Sequence, residues 1–456
     1  MLIGMIGSWW KWRRHEVGRV SVMPARSIWI GALVLLVVAA VSMWALMALY
    51  GGGSPQDKVR LEIVKLAGGI VVGTGGAAAL LLAARRQRAT ELQLAQNERD
   101  LAQKERAADD ARHDAAERRI TELYSSAAEQ LGSDKAPVRL AALHALERLG
   151  QNNPGHRQTV VDLLCAYLRM PFASPDATDM ELRAERYQEL QVRLTAQRLL
   201  TAHLRPGADE EEKFWGDMDL DLTRAELVEW DIAGCRVRNA LFDGTVFSGE
   251  ATFQQVVFRG AVSFREARFR GVLFGGAQFH DAARFDEAVF RGAASFRSVE
   301  FGTAASFDGT DFHGPASFAE GRFSGTGTFR QAVFRDTVSF REVEFHAAVS
   351  FNATEFRFEA SFAGAHFQDS ASFGESRFQG IVSFREAEFQ DAAWFDNAAL
   401  GEPDFAEARI FAPGWVADQG WLRGLPAWQL TTTDGEEPDE QQRRWHRFVP
   451  AEPATD

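Results

Sequence analysis

Histidines, cysteines and clustered carboxylates are the residues through which this chain could hold a metal, act as a nucleophile or move a proton. Four of its ten histidines, His280, His313, His346 and His366, fall between Asp217 and Arg409. The first three each follow a phenylalanine in a stretch where phenylalanine recurs at fixed spacing, which puts them on the outside of whatever that spacing builds. The only two cysteines, Cys165 and Cys235, sit far apart in apolar-patterned positions. They read as buried free thiols of a reducing compartment, in preference to a disulfide or a metal site. Arginines and carboxylates alternate, as in Arg265, Glu266, Arg268 and Arg270, but no position combines a nucleophile, a base and an orienting acid. Gly73-Thr74-Gly75-Gly76 lies inside an apolar run with no lysine following it, so it reads as a packing feature and not a phosphate loop. The chain is therefore expected not to be an enzyme, and no catalytic, cofactor or metal residue is assigned.

The elements that position these side chains are dictated by phenylalanine. There are 35 copies against 4 tyrosines in 456 residues, and most lie between Phe242 and Phe405. The apolar centres run Leu222, Leu227, Ile232, Val237, Phe242 and Phe247 at intervals of five, then alternate between six and five through Phe253, Phe258, Phe264 and Phe269. A five-residue step turns a side chain about 140° away on a helix, and any odd step flips it to the other face of a strand. What remains is a chain that turns a corner between successive centres. The residue two before each centre is small or Val, as at Ala225, Ala267, Ala288, Ala332 and Ala387. In an extended triplet it shares the inward face with the Phe while the residue between them faces out.

This A-x-F step resembles the pentapeptide-repeat family, in a Phe-centred, eleven-residue form in which FREARF, FRQAVF, FREVEF and FREAEF alternate with GAVSF, TVSF, GPASF and IVSF. The resemblance covers about 190 residues. It implies a right-handed quadrilateral β-helix with four steps per coil and about nine coils. Every fourth centre, Phe242, Phe264, Phe285, Phe307, Phe329, Phe351, Phe373 and Phe395, is then expected to form one column of rings. On a four-sided coil, the six steps from His280 to His313 and from His313 to His346 put neighbouring histidines on opposite sides, where they cannot share a metal.

Ahead of the solenoid, Ile28–Tyr50 is an uncharged run of 23 residues, which as a helix spans about 34 Å against a bilayer core of about 30 Å. Leu66–Ala84 is a second uncharged run. Read as a hairpin of two transmembrane helices, with Arg13, Arg14, Arg19 and Arg26 before and Arg85, Arg86 and Arg88 after, the pair predicts a multi-pass protein of the inner membrane with its soluble part in the cytoplasm. The Gly69–Gly73 GxxxG spacing permits close helix approach, either within the chain or in a homo-oligomer. The expected organisation is a basic N-terminal segment (1–27), the transmembrane hairpin (28–84), a charged helical stalk (85–122), a small HEAT-like helical region (123–205), a linker (206–215), the β-helix (216–412), and a C-terminal cap with a disordered tail (413–456). Within the stalk a heptad can be drawn through Leu94, Leu101, Ala108 and Ala115, although its partner positions are mostly charged, which favours a solvated stalk over a coiled coil.

Between Asp217 and Arg409 there are 30 acidic residues against 18 arginines and no lysine, a net charge of −12. Such a surface repels a phosphate backbone, so nucleic acid is not an expected partner. The expected function is a non-enzymatic, membrane-tethered scaffold: it touches the lipid bilayer through its spans and an unidentified protein through its wall. The family resemblance supplies a rival from another class, imitation of DNA to occupy a topoisomerase such as gyrase.

Overall fold

The computed structural model describes residues 25–50, 55–172, 180–207, 213–413, 428–432 and 443–450. The chain divides into two compact units, residues 1–113 and 114–456.

In the first unit, helix α1 covers Ala25–Tyr50 and most of helix α2, Pro55–Leu131, follows it. The expected membrane hairpin is corrected here. Among the described residues no helix is long and apolar enough to cross a membrane, which overturns the two transmembrane helices and the multi-pass inner-membrane placement built on them. The second apolar run is not an element of its own: Leu66–Ala84 is a glycine-diluted part of one helix of 77 residues whose average composition is polar. In α1, several side chains of the apolar run lie outside the described residues. Of the expected basic segment (1–27), residues 1–24 lie outside them and 25–27 open α1. The charged stretch 85–122 lies within α2, which continues unbroken to Leu131 through sequence rich in Ala, Glu, Gln and Arg, all strong helix formers. Leu94 and Leu101 of the drawn heptad are exposed.

In the second unit, α3 (Ala136–Asn152), α4 (Arg157–Arg169) and α5 (Met180–Leu204) pack into a small bundle. Pro137 sits in the first turn of α3, where its missing N–H costs nothing, and Lys135 occupies the capping position. Leu143 and Leu146 of α3, Val160 and Leu164 of α4 and Val192 and Leu200 of α5 are buried together. Arg193 is almost fully buried and ties the bundle: its Nε bonds Glu189 at 2.9 Å and its Nη1 the Leu168 carbonyl at 3.0 Å.

The bundle covers one open end of a β-solenoid. Gln158 accepts from the Asp219 N–H and donates to the Asp219 carbonyl, both at 2.9 Å. Gln197 does the same for Val228, at 3.1 and 2.9 Å. Two glutamines thus stand in for a missing neighbouring strand, the condition an exposed sheet edge must meet. Past this edge the chain winds in about nine turns. Each short strand pairs in parallel with its counterpart one turn later, as Phe290 does with Phe312 and Ala316 with Val338. Four columns of centres result: Phe258 to Phe389, Phe242 to Phe395, Phe247 to Phe378 and Phe253 to Phe405.

Corners alternate between two kinds. Five-residue steps that follow second- and fourth-column centres close a β-turn in which the N–H three residues after a centre donates to that centre's carbonyl, as Ala288 does to Phe285 at 3.0 Å. The third residue of each such turn has positive φ, for instance Glu266 at 56°, Glu287 at 57° and Gly309 at 66°. Six-residue steps spend their extra residue in a bend, as between Phe279 and Phe285, and these bends lie on opposite sides of the coil. At the far end, strand Arg443–Pro450 runs antiparallel to Arg409–Pro413 and to Trp428–Thr432. Its Phe448 stacks on Phe405, with ring centroids 4.7 Å apart. The cap expected within Pro413–Trp428 falls largely outside the described residues, and the ring that covers the last coil comes from further along the chain.

Candidate functional site

The interior is closed. The rings of Phe242, Phe264, Phe285, Phe307, Phe329, Phe351, Phe373 and Phe395 form one stack with neighbouring centroids 4.7–5.1 Å apart and planes within 11° of parallel. They meet the fourth column edge to face, as Phe307 meets Phe296 at 5.5 Å and Phe318 at 5.3 Å, both at 89°. Offset stacks along the axis and T-shaped contacts across it are the two arrangements that ring quadrupoles favour. These residues are structural, and any recognition belongs to the outer wall.

On the side of the first column, the outward residue just before each ring runs Arg322, Glu344, His366, Glu388 and Arg409. Arg322 pairs with Glu344 at 2.9 Å, His366 Nδ1 lies 3.1 Å from Glu388, and Arg409 also bonds Glu388. His346 lies beside the same ladder, 3.2 Å from Glu344 and 2.9 Å from Gln368. His313 is on the third-column side, 3.2 Å from Asp311. Residue-by-residue reading put neighbouring histidines on opposite sides but missed that His346 and His366 share one. The signal was present, since 344, 366 and 388 are each one 22-residue turn apart. Among the described residues no group of three His, Cys, Asp or Glu is placed to hold a metal.

Electrostatic effects on the wall are local. Asp219 accepts from the Arg238 guanidinium and from the Asn239 side chain and backbone, which hold its carboxyl down at about 2. Partial burial pushes the Asp311 carboxyl up, but hydrogen bonds from Arg335 at 2.7 and 2.9 Å, with His313 beside it, bring it below the usual range. Cys165 and Cys235 are free and buried, and burial pushes both thiols up to about 12, far from a nucleophile's range.

Two ladders of small hydroxyl residues run along the rod, and they differ. Next to the second column, Ser263 bonds Asp243, Ser306 bonds Asp286, and Ser372 bonds Asn352 at 2.5 Å. Next to the fourth column, Ser295, Ser317, Ser339, Ser361 and Ser383 occupy the same position in five successive turns. The first four line a shallow trough of about 540 Å³ with Pro315, Thr337, Arg341 and Glu359.

The family model for pentapeptide repeats in nine copies matches residues 232–277, 242–288, 274–322, 329–377 and 373–413. This segment is a pentapeptide-repeat solenoid. No curated protein and no solved structure matches the chain. In the pentapeptide-repeat solenoid the inward positions are nearly invariant from turn to turn, while the outward ones change from Gln278 to Glu300, Arg322, Glu344 and His366 on one line. The frame is therefore uniform and its surface chemistry is not.

Proposed function

We propose that the protein is a non-enzymatic interaction protein whose pentapeptide-repeat solenoid serves as a rigid wall for another protein. The observation that carries this reading is the division of labour between positions. Rings, alanines and backbone groups satisfy one another inside, so outward side chains are free to differ from turn to turn without loss of the frame. A partner reading several turns meets a fixed lattice of about 4.8 Å spacing with a specific sequence of charges, hydroxyls and apolar groups on it.

Affinity capture with the full chain as bait, quantified against a version in which outward residues of the wall are replaced by Ser, tests this. A reproducible protein partner lost with the replaced wall supports it; no partner, or one retained on the blank wall, contradicts it. The rival reading, imitation of DNA toward gyrase, draws on the net charge of −12. Several of those carboxylates are already paired, as Asp308 is with Arg330 at 2.8 Å and Asp311 with Arg335 at 2.7 Å, which breaks an acidic stripe. Dose-dependent inhibition of purified gyrase by the full chain would favour that rival.

A further inference from the structure

The serine trough beside the fourth column is unlike the rest of this acidic rod. Among the described residues, Ser295, Ser317 and Ser361 make no side-chain hydrogen bond, whereas the equivalent serines beside the second column are taken up by Asp243, Asp286 and Asn352. The cause is the residue after the neighbouring ring. On the second column it is often Asp or Asn; on the fourth it is Gly275, Arg297, Ala319, Arg341 and Ala363, none of which can accept.

The trough's one carboxylate, the exposed Glu359, lies at its Ser361 end, and the flanks add donors toward the other end. The residue after each third-column ring is Arg270, Arg291, His313, Arg335 and Arg357 in five successive turns. Arg335 and Arg357 are held by Asp311 and Glu355. Arg270, Arg291 and, on the opposite flank, Arg341 are exposed and form no ion pair among the described residues. Between flank and floor, Gly292 and Gly314 keep the ground low in two turns, and the same line continues with Asp336 and Phe358. Next to Glu359 at the Ser361 end, the wall carries Phe358 and, one turn on, Ile381, 57% and 53% exposed.

We propose that this trough docks an extended acidic segment of a partner protein that carries a large apolar side chain near one end. Carboxylates would accept from Arg270, Arg291 and Arg341, backbone carbonyls from the serine hydroxyls, and the apolar residue would cover Phe358 and Ile381. Charge-assisted bonds to arginine give such a site its selectivity for carboxylates. An apolar anchor at one end is a feature of peptide recognition, while the rod's net charge of −12 opposes a long polyanion. The proposal rests on the reading of the solenoid as a protein-binding wall and assigns the surface used.

The test is fluorescence anisotropy of the full chain with a labelled twelve-residue peptide bearing four glutamates and one phenylalanine. Comparison ligands are the same peptide with glutamines for glutamates and a single-stranded oligonucleotide of matched charge. The glutamate peptide should bind, with affinity falling as salt rises, and the double variant Arg291→Glu, Arg341→Glu and the single variant Phe358→Ser should each weaken it about tenfold. Arg284→Glu, an exposed arginine on the other sheet, should leave binding unchanged. Circular dichroism melts of each variant separate lost binding from lost fold. Equal binding of the glutamine peptide, tighter binding of the oligonucleotide, or an equal loss with Arg284→Glu overturns the proposal. If a captured partner survives Arg291→Glu, Arg341→Glu, the trough assignment fails while the wall reading stands.

Discussion

At the scale of single residues, the corners carry the conformational cost of the fold. Among the described residues, fourteen non-glycine residues adopt positive φ, eight of them glutamates, at positions where glycine would be the default. The glycines that share these corners show what offsets the cost. A Cβ placed on Gly309 would lie 3.5 Å from Glu287 Cγ, and one on Gly364 would lie 3.3 Å from Glu342 Cγ, so long side chains lay their stems over the next turn's corner. Gly309→Val is expected to cost about 1–2 kcal/mol, because a β-branched residue gains no such stem contact and resists the left-handed region, while Gly309→Asn costs less; urea denaturation measures both. Asp219 gives a pH signature. Its folded-state value of about 2 lies below the ordinary carboxyl value, so its contribution is present above about pH 4 and is lost as pH falls through about 2. The thermal midpoint of Asp219→Asn should accordingly be less sensitive to pH between about 4 and 2 than that of the parent protein. None of the corner geometry was legible from residue types, since Glu gives no hint of positive φ. The recurrence of Glu or Gly two residues after a Phe was the clue, and it needed the turn to be interpreted.

At the scale of the element, the solenoid was the most legible part of the molecule, because a five-residue step is incompatible with both a helix face and a strand face. Phe307 shows what the step builds. It stacks between Phe285 and Phe329 at 4.7 and 4.8 Å and meets Phe296 and Phe318 edge on. Phe307→Ala should lose about 3–5 kcal/mol in chemical denaturation, the range for a fully buried aromatic truncated into a core that cannot collapse. The six-residue bends are a second constraint, marked in the sequence by the alternation of six- and five-residue steps although Gly, Asp and Phe all occur there. At Gly292 an added Cβ would fall 2.2 Å from the Arg270 carbonyl oxygen, whereas at Gly271 its nearest neighbour would be 3.8 Å away. Gly292→Ala is expected to cost about 1–3 kcal/mol and Gly271→Ala under about 1 kcal/mol, a contrast readable from the two denaturation midpoints.

At the scale of the whole molecule, the sequence and the structure part company ahead of the solenoid. Hydropathy treats Leu66–Ala84 as a segment with its own ends, but helix continuity is set by local propensity and no breaker follows Ala84, so the run merges into α2. The N-terminal cap was legible only as a helical region before Trp215. That Gln158 and Gln197 complete the first strands could not be read, because a glutamine on a helix carries no mark of what it will face. The ring that closes the far end was hidden for a similar reason, since Phe448 lies outside the repeat and only the fold brings it onto Phe405. What these elements hold in place is a frame of identical turns with a varied wall, and the claim that a protein reads that wall is the central one. Site-specific photo-crosslinking from the full chain in cells tests it most directly, with the crosslinker placed singly at Ala293, Thr337 and Ala304, all outward-facing and exposed. A discrete adduct with a separate polypeptide from at least one wall position, strongest at Ala293 or Thr337, is the expected result; no adduct from any of the three would contradict it.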